Sequence, residues 1–177
     1  GGDFFKIINI RSGGLAIHGG LLFGFIAAAF FCRFWRISSL NLLDLMAPSV
    51  ALAQAFGRWG NFFNQEAHGG PTDLPWAILV NGEKVHPTFL YESLWCLLLF
   101  FLLIVIDNRS LYNGRTFLAY GVFYSFERFF VEQLRTDSLM LGSFRVAQLF
   151  SVTVFIVFLI ILISMERKHS RRNRLFY

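Results

Sequence analysis

The sequence predicts an all-α protein, a polytopic bundle with five membrane-spanning helices in this chain. Composition is the first observation behind that prediction. Of 177 residues, 55% are hydrophobic and only 15% charged, 23 are Phe, and mean hydropathy is +0.55. A typical globular chain carries about 25% charged residues, so a soluble core of this length could not hide so much apolar surface. The second observation is that the apolar residues come in blocks of about 20, the length that crosses a hydrocarbon core of about 30 Å. Helices follow because an isolated strand would leave its backbone polar groups unpaired in lipid.

The blocks appear in order along the chain. Leu15–Cys32 is uncharged apart from the titratable His18, and Ile37–Gly57 carries only Asp44. Thr88–Ile106 holds one charge, Glu92. Thr116–Leu134 is the weakest span, because Glu127, Arg128 and Glu132 crowd its second half. Val146–Met165, "VAQLFSVTVFIVFLIILISM", has no charge at all. Residues 1–165 therefore read as one transmembrane domain with a loop over about 60–87, and 166–177 as a basic tail. Leu15–Cys32 lacks the basic flank of a cleavable signal peptide and has further spans after it. The start "GGDFF", without an initiator Met, reads as a processed or shortened N-terminus.

Lys and Arg set the orientation. With the C-terminus inside, Arg33, Arg36, Arg109, Arg115, Arg167, Lys168, Arg171, Arg172 and Arg174 are cytoplasmic. Lys6, Arg11, Arg58, Lys84, Arg128, Arg135 and Arg145 fall on the outer side. The tail "ERKHSRRNR" suits inner-leaflet lipid, and the formal charge of +5 comes without the aromatic-interleaved basic patch of a nucleic-acid binder. Cys32 and Cys96 both fall within spans, where they serve as small apolar residues rather than a disulfide framework.

On this topology the costly polar groups gather at one depth. His18 lies near the outer end of the first span and Arg58 at the outer end of the second. Glu66, His68 and His86 sit in the outer loop, Glu92 enters the third span from outside, and Arg128 and Glu132 occupy the outer half of the fourth. Asp44 is the one acidic residue on the inner half of a span. Arg128 and Glu132 are spaced i,i+4, with Tyr124 a turn earlier and Arg135 a turn later, so one face of that helix is polar. A structural ion pair accounts for any one such pair. Several ionisable groups on separate spans at one depth mark a functional site facing the bundle interior or water.

Two glycine-rich stretches frame this site. In "GGLAIHGGLLFG", residues 13–24, small-residue helix packing explains Gly20 and Gly24 but not His18. In "GRWGNFFNQEAHGG", residues 57–70, four Gly alternate with Arg58, Asn61, Asn64 and Glu66. Glycine permits tight turns and close backbone approach, while Arg and Asn supply donors to an acceptor-rich anion such as a phosphate diester.

These stretches, together with "HPTFLYES" (86–93) and "FERFFVEQLRTD" (126–137), resemble the prolipoprotein diacylglyceryl transferases, the bacterial enzymes that attach the first lipid to lipoproteins. The four motifs occur in the family's order and cover essentially the whole chain. The resemblance implies a bundle of seven membrane helices in the bacterial cytoplasmic membrane, with an outward-facing site and a cytoplasmic C-terminus. Five spans are present here, so the two N-terminal helices are expected to be missing from this piece. The family's signature Arg, Asn, Glu and Gly fall on Arg58, Asn61, Glu66 and Gly69. Its functional His, followed by Gly, falls on His18 and Gly19. Its Tyr-Glu pair falls on Tyr91 and Glu92, and its essential Arg of the penultimate helix on Arg128, beside Tyr124, Glu132 and Arg135.

The implied reaction moves a diacylglyceryl group from phosphatidylglycerol to the lipobox Cys thiol in a preprolipoprotein signal peptide, releasing glycerol 1-phosphate. The leaving phosphate gathers negative charge, which assigns Arg58 and Arg128 to it. Asn61, Asn64, Gly69, Gly19, Tyr124, Glu132 and Arg135 are assigned to binding the lipid headgroup. The thiol, of pKa about 8.5, must lose a proton, and His18, Glu66 and Glu92 are the open candidates for the base. No cofactor or metal is required, and the spacing of Glu66, His68 and His86 matches no zinc pattern. The rival class is a transporter or channel with an anion-binding outer vestibule, which requires polar residues through the full membrane depth.

Overall fold

The computed structural model describes residues 15–142 and 144–174, with side chains over 23–171 except Phe25 and Ser143. Five helices follow one another along the chain: α1 (Leu15–Phe34), α2 (Ser39–Phe63), α3 (Thr88–Asn108), α4 (Arg115–Leu134) and α5 (Val146–Arg174). The chain divides after Leu42 into two compact units. In the first, α1 ends in an aromatic cluster. Phe31 stacks on Trp35 with ring centroids 4.6 Å apart and Phe30 on Phe34 at 5.9 Å, and Arg36 closes the turn at φ 54°. Exposed aromatic rings at a helix end suit the membrane–water boundary.

The second unit packs α3 against α4 and α4 against α5. Its core joins Ala47 and Ala51 of α2, Leu99 and Leu103 of α3 and Ala119 of α4, each at most 3% exposed. The alanines of α2 and α4 let helix backbones approach closely, the packing used where lipid removes the hydrophobic drive to associate. Large apolar side chains point the other way. Leu98, Phe101, Phe150 and Ile160 are exposed, a surface that water disfavours and hydrocarbon accepts. Helices α2, α3 and residues 146–171 of α5 are each long and apolar enough to cross a membrane. With α4 lying between two of them, the chain is a multi-pass membrane helix bundle.

Asp44 explains how α4 begins. The first amides of a helix have no partner within it and attract negative charge. From α2, Asp44 reaches them: Gly114 N–H donates to Oδ2 at 2.5 Å and Phe117 N–H to Oδ1 at 2.8 Å. The carboxylate is 6% exposed. Asp44→Ala strands both amides, so it is expected to lower stability by about 1–3 kcal/mol, read as an earlier unfolding midpoint in detergent. An unchanged midpoint would show that water reaches these amides.

The structure departs from the sequence reading in three places. Helix α2 continues through Phe63 rather than ending at Gly57, so Gly57 and Gly60 are helical. A Cβ added at either would meet nothing within 4 Å, which overturns their reading as turn or close-approach glycines. Helix α5 runs on through the basic segment to Arg174, with Arg115 Nε 2.7 Å from Glu166 Oε1. The chain also holds two small antiparallel hairpins, β1 (Ile78–Val80) with β2 (Glu83–Val85) and β3 (Met140–Leu141) with β4 (Phe144–Arg145). The first turns on Asn81 at φ 51° and Gly82 at φ 87°, the left-handed pair that Asn-Gly favours in a tight hairpin.

Candidate functional site

Three helices of the second unit bring their charges together. Arg58 stands five residues before the end of α2, Glu92 in the first turns of α3, and Arg128 and Glu132 one turn apart on α4. Glu92, 1% exposed, lies between the two arginines. Its Oε2 is 2.9 Å from Arg58 Nε and its Oε1 is 2.6 Å from Arg128 Nη1. Arg128 also places Nη2 2.6 Å from Glu132 Oε2, and Arg135 Nε lies 4.0 Å from that same oxygen. Arg135 ends the row with two hydrogen bonds to Asp137, of 3.0 and 2.7 Å. Burial opposes the ionisation of Asp137, but these bonds and the Arg135 charge hold its carboxyl below the usual range.

The result is an alternating row of cations and carboxylates. Removing ions from water is expensive, and a buried ion is tolerated only when its charge and its remaining hydrogen-bonding atoms are met. Polar groups behind the row help do so. Arg58 Nη2 donates to Tyr124 Oη at 3.3 Å, Tyr124 stacks on Tyr120 at 5.6 Å, and Tyr120 Oη donates to Gln54 at 2.9 Å. Strand β4 and the start of α5 tie to α4 through Arg145 donating to the Glu132 carbonyl and Gln148 donating to that of Phe129. The side chains of Arg58 and Arg128 each stay 19% exposed. Each therefore keeps surface that an anion could reach.

The segment 64–87 is strapped onto this row. Gly69 N–H donates to the His86 carbonyl and Gly70 N–H to that of Leu134, both at 2.9 Å, and Gly69 bridges Arg135. A Cβ on Gly69 would lie 2.6 Å from His86 Cβ and 3.1 Å from the Leu134 carbonyl oxygen. Both are held by backbone, so Gly69 serves close approach. Gly69→Ala is expected to cost about 1–3 kcal/mol of stability through overpacking. The melting midpoint in detergent checks this, and a wild-type value would mean the strap shifts freely. The strap is held further by Thr88 donating to the Ala67 carbonyl and Trp76 donating to Tyr91 Oη at 2.8 Å.

Not every expected residue joins the row. Asn64 donates to Glu66 at 3.0 Å, but both are exposed and lie beyond the end of α2. Asn61 is half-buried and makes no side-chain hydrogen bond among the described residues. Gly19 and His18 lie on α1, and the side chain of His18 is outside the described residues. One residue that sequence reasoning left unassigned belongs here. Glu127 is 6% exposed, neither carboxylate oxygen has a hydrogen-bond partner among the described residues, and Glu92, Arg58 and Arg128 are the charges acting on it. Its one signal in the sequence was an acidic residue inside an apolar span. Among the described residues no three His, Cys, Asp or Glu side chains converge to hold a metal ion.

Ionic groups enclosed by apolar spanning helices define a membrane protein with a polar site inside its bundle. Residues 2–164 match the family description "Prolipoprotein diacylglyceryl transferase". This chain belongs to that family. It is similar to the phosphatidylglycerol–prolipoprotein diacylglyceryl transferase of Finegoldia magna, with 49% identity over 164 residues, 92% of this chain and 66% of the relative. The enzyme of the same name from Clostridioides difficile is 48% identical over 165 residues, 93% of this chain and 66% of the relative. That from Bacillus cytotoxicus is 45% identical over 181 residues, 96% and 67% respectively. The chain thus spans about two thirds of the length of these relatives. Nothing in the comparisons supports the anion-transport alternative.

Proposed function

We propose that the protein transfers the diacylglyceryl group of phosphatidylglycerol to the lipobox cysteine of a preprolipoprotein, the first step of bacterial lipoprotein maturation. The observation that carries this reading is the pairing of Arg58 and Arg128 from separate helices around one buried carboxylate. It puts two cationic donors close enough to meet a single phosphate. The names of the relatives supply the donor and acceptor. The membrane setting supplies the reason for an enclosed site, since the acyl chains of the donor stay in hydrocarbon.

In this reaction the cysteine sulfur forms a bond to the terminal glycerol carbon of diacylglycerol, and that carbon's bond to the phosphate oxygen breaks. The electron pair leaves with glycerol 1-phosphate, and the thiol proton passes to a base. Charge builds on the departing phosphate, where preformed guanidinium donors lower the barrier most. Arg58 and Arg128 take that role. Tyr124, Glu132 and Arg135 hold them and the headgroup, and Gly69, bridged to Arg135, brings the strap over the row. Nearby positive charge also lowers the thiol's pKa, which reduces the demand on the base. The site opens to the outer face of the cytoplasmic membrane, and the basic segment 166–177 lies on the cytoplasmic side.

The test uses the full-length protein in mixed micelles with phosphatidylglycerol and a lipobox peptide. Glycerol phosphate release that requires the peptide thiol is expected; release without it, or none, refutes the assignment. His18 serves this reaction as hydrogen-bond donor or as base, and turnover of His18→Gln against pH separates the two. A donor role predicts much retained activity, because an amide donates from a similar position. A base role predicts a loss of orders of magnitude, with wild-type rate rising through a pKa of about 6.5.

A further inference from the structure

A cleft of about 460 Å³ runs between α4 and α5. At one end it is lined by Arg128 of the ionic row and by Tyr124 behind it, and at the other by Phe117 and Phe158. Phe150, 69% exposed, also lines it, so the cleft reaches the surface that faces lipid. From Arg128 to Gly121, where the Phe158 ring sits, helix α4 descends about 10 Å at about 1.5 Å per residue. That is about a third of a hydrocarbon core of about 30 Å, so the cleft ends within one leaflet. A second cavity of about 220 Å³ shares Ser125 and Ser151 with the cleft but is otherwise lined by Val152 and four Phe, with no charged group.

The deep end of the cleft is closed by one ring. The Phe158 side chain sits where a Cβ on Gly121 would be, so only glycine at 121 admits it. Its ring centroid lies 5.5 Å from that of Phe117. The absence of a side chain at Gly121 gives this ring its seat.

We infer that the cleft between α4 and α5 seats one acyl chain of an anionic phospholipid whose phosphate meets Arg128, and that Phe158, lodged on Gly121, sets how long that chain can be. The inference rests on the proposed transferase reading and adds to it a binding surface and a specificity residue. The occupant follows from the shape of the lining. A cationic donor sits at the mouth, mostly apolar walls run about 10 Å below it, and an aromatic ring lies at the bottom. The smaller cavity has walls of the same kind but no cation at its mouth, so it lacks the anchor that would hold a headgroup.

An enclosed apolar pocket discriminates against one extra methylene by about 10-fold. Full-length protein is therefore assayed with phosphatidylglycerols of short, intermediate and long saturated chains. The wild type is expected to lose kcat/KM by about 10-fold or more once the chain outgrows the cleft. Phe158→Ala should move that fall-off to longer chains. Phe155→Ala, in the smaller cavity, should leave the profile where it was. A Phe158→Ala profile identical to wild type overturns the inference, as does an equal shift from Phe155→Ala. A second readout does not depend on turnover. A phosphatidylglycerol with a photoreactive group at its acyl terminus is expected to label Phe117 or Phe158, and labelling confined to other residues also overturns the inference. Absence of thiol-dependent transfer with every donor, alongside labelling at Phe158, would refute the transferase reading and leave the lipid cleft standing.

Discussion

Arg58→Ala and Arg128→Ala are each expected to abolish diacylglyceryl transfer while leaving the protein in the membrane. Loss of one stabilising donor at a developing oxyanion costs about 10²–10³ in rate. The expected loss here is at least that large, because each arginine also neutralises Glu92, and its removal leaves that carboxylate with half its partners. Lys restores the charge but not the geometry. Arg58 uses Nε for Glu92 and Nη2 for Tyr124, and Arg128 uses one terminal nitrogen for Glu92 and the other for Glu132. A single ammonium on a flexible stem does not reproduce two divergent, fixed donors. Arg58→Lys and Arg128→Lys should therefore recover at most a small part of the rate, measured as thiol-dependent glycerol phosphate release at matched protein content. Near-normal turnover in either Lys variant would remove the two-guanidinium reading of the site.

The same pair shows how far the sequence could be read. That Arg128 and Glu132 share a helix face followed from their i,i+4 spacing, and the structure places them 2.6 Å apart. Nothing in periodicity says that Glu92, 34 positions after Arg58 and on another helix, lies between it and Arg128. Helical period assigns a residue to a face, whereas the partner across the interface depends on how helices rotate and slide against one another. The spans were legible because lipid demands a length and a composition. Their ends were less so. At Gly57 the motif's polar residues suggested a loop, but hydrogen bonds internal to α2 carry the helix on to Phe63 with Arg58 on its flank. Asn81-Gly82 lies in the segment 60–87 expected to be a loop, and the structure folds it into the tight turn of a short hairpin. Glu127 is visible as a charge in a span, but the chain alone does not reveal that burial leaves both its oxygens without hydrogen-bond partners among the described residues.

Glu92→Gln is expected to separate holding the arginines from taking the proton. The amide keeps the size of the side chain but carries no charge, and only one of its two atoms still accepts. One guanidinium loses its partner, and both lose the counter-charge in a place where Glu92 is 1% exposed. Breaking a buried ion pair by removing one member costs about 3–5 kcal/mol. Glu92→Ala should therefore unfold markedly earlier, and Glu92→Gln by a smaller margin. For catalysis, loss of the bridge lets Arg58 and Arg128 drift from the spacing that suits the departing phosphate, so kcat of Glu92→Gln should fall by about 10²-fold or more, the scale of one lost preorganised contact. The Michaelis constant for phosphatidylglycerol should hold or drop, because the variant removes a negative charge that repels the phosphate. The pH profile of the remaining activity should keep its wild-type shape, since a positioning residue does not carry the proton. A residual rate that no longer depends on pH where the wild type does would make Glu92 the base. Wild-type turnover in Glu92→Gln would mean that the arginines are held without it.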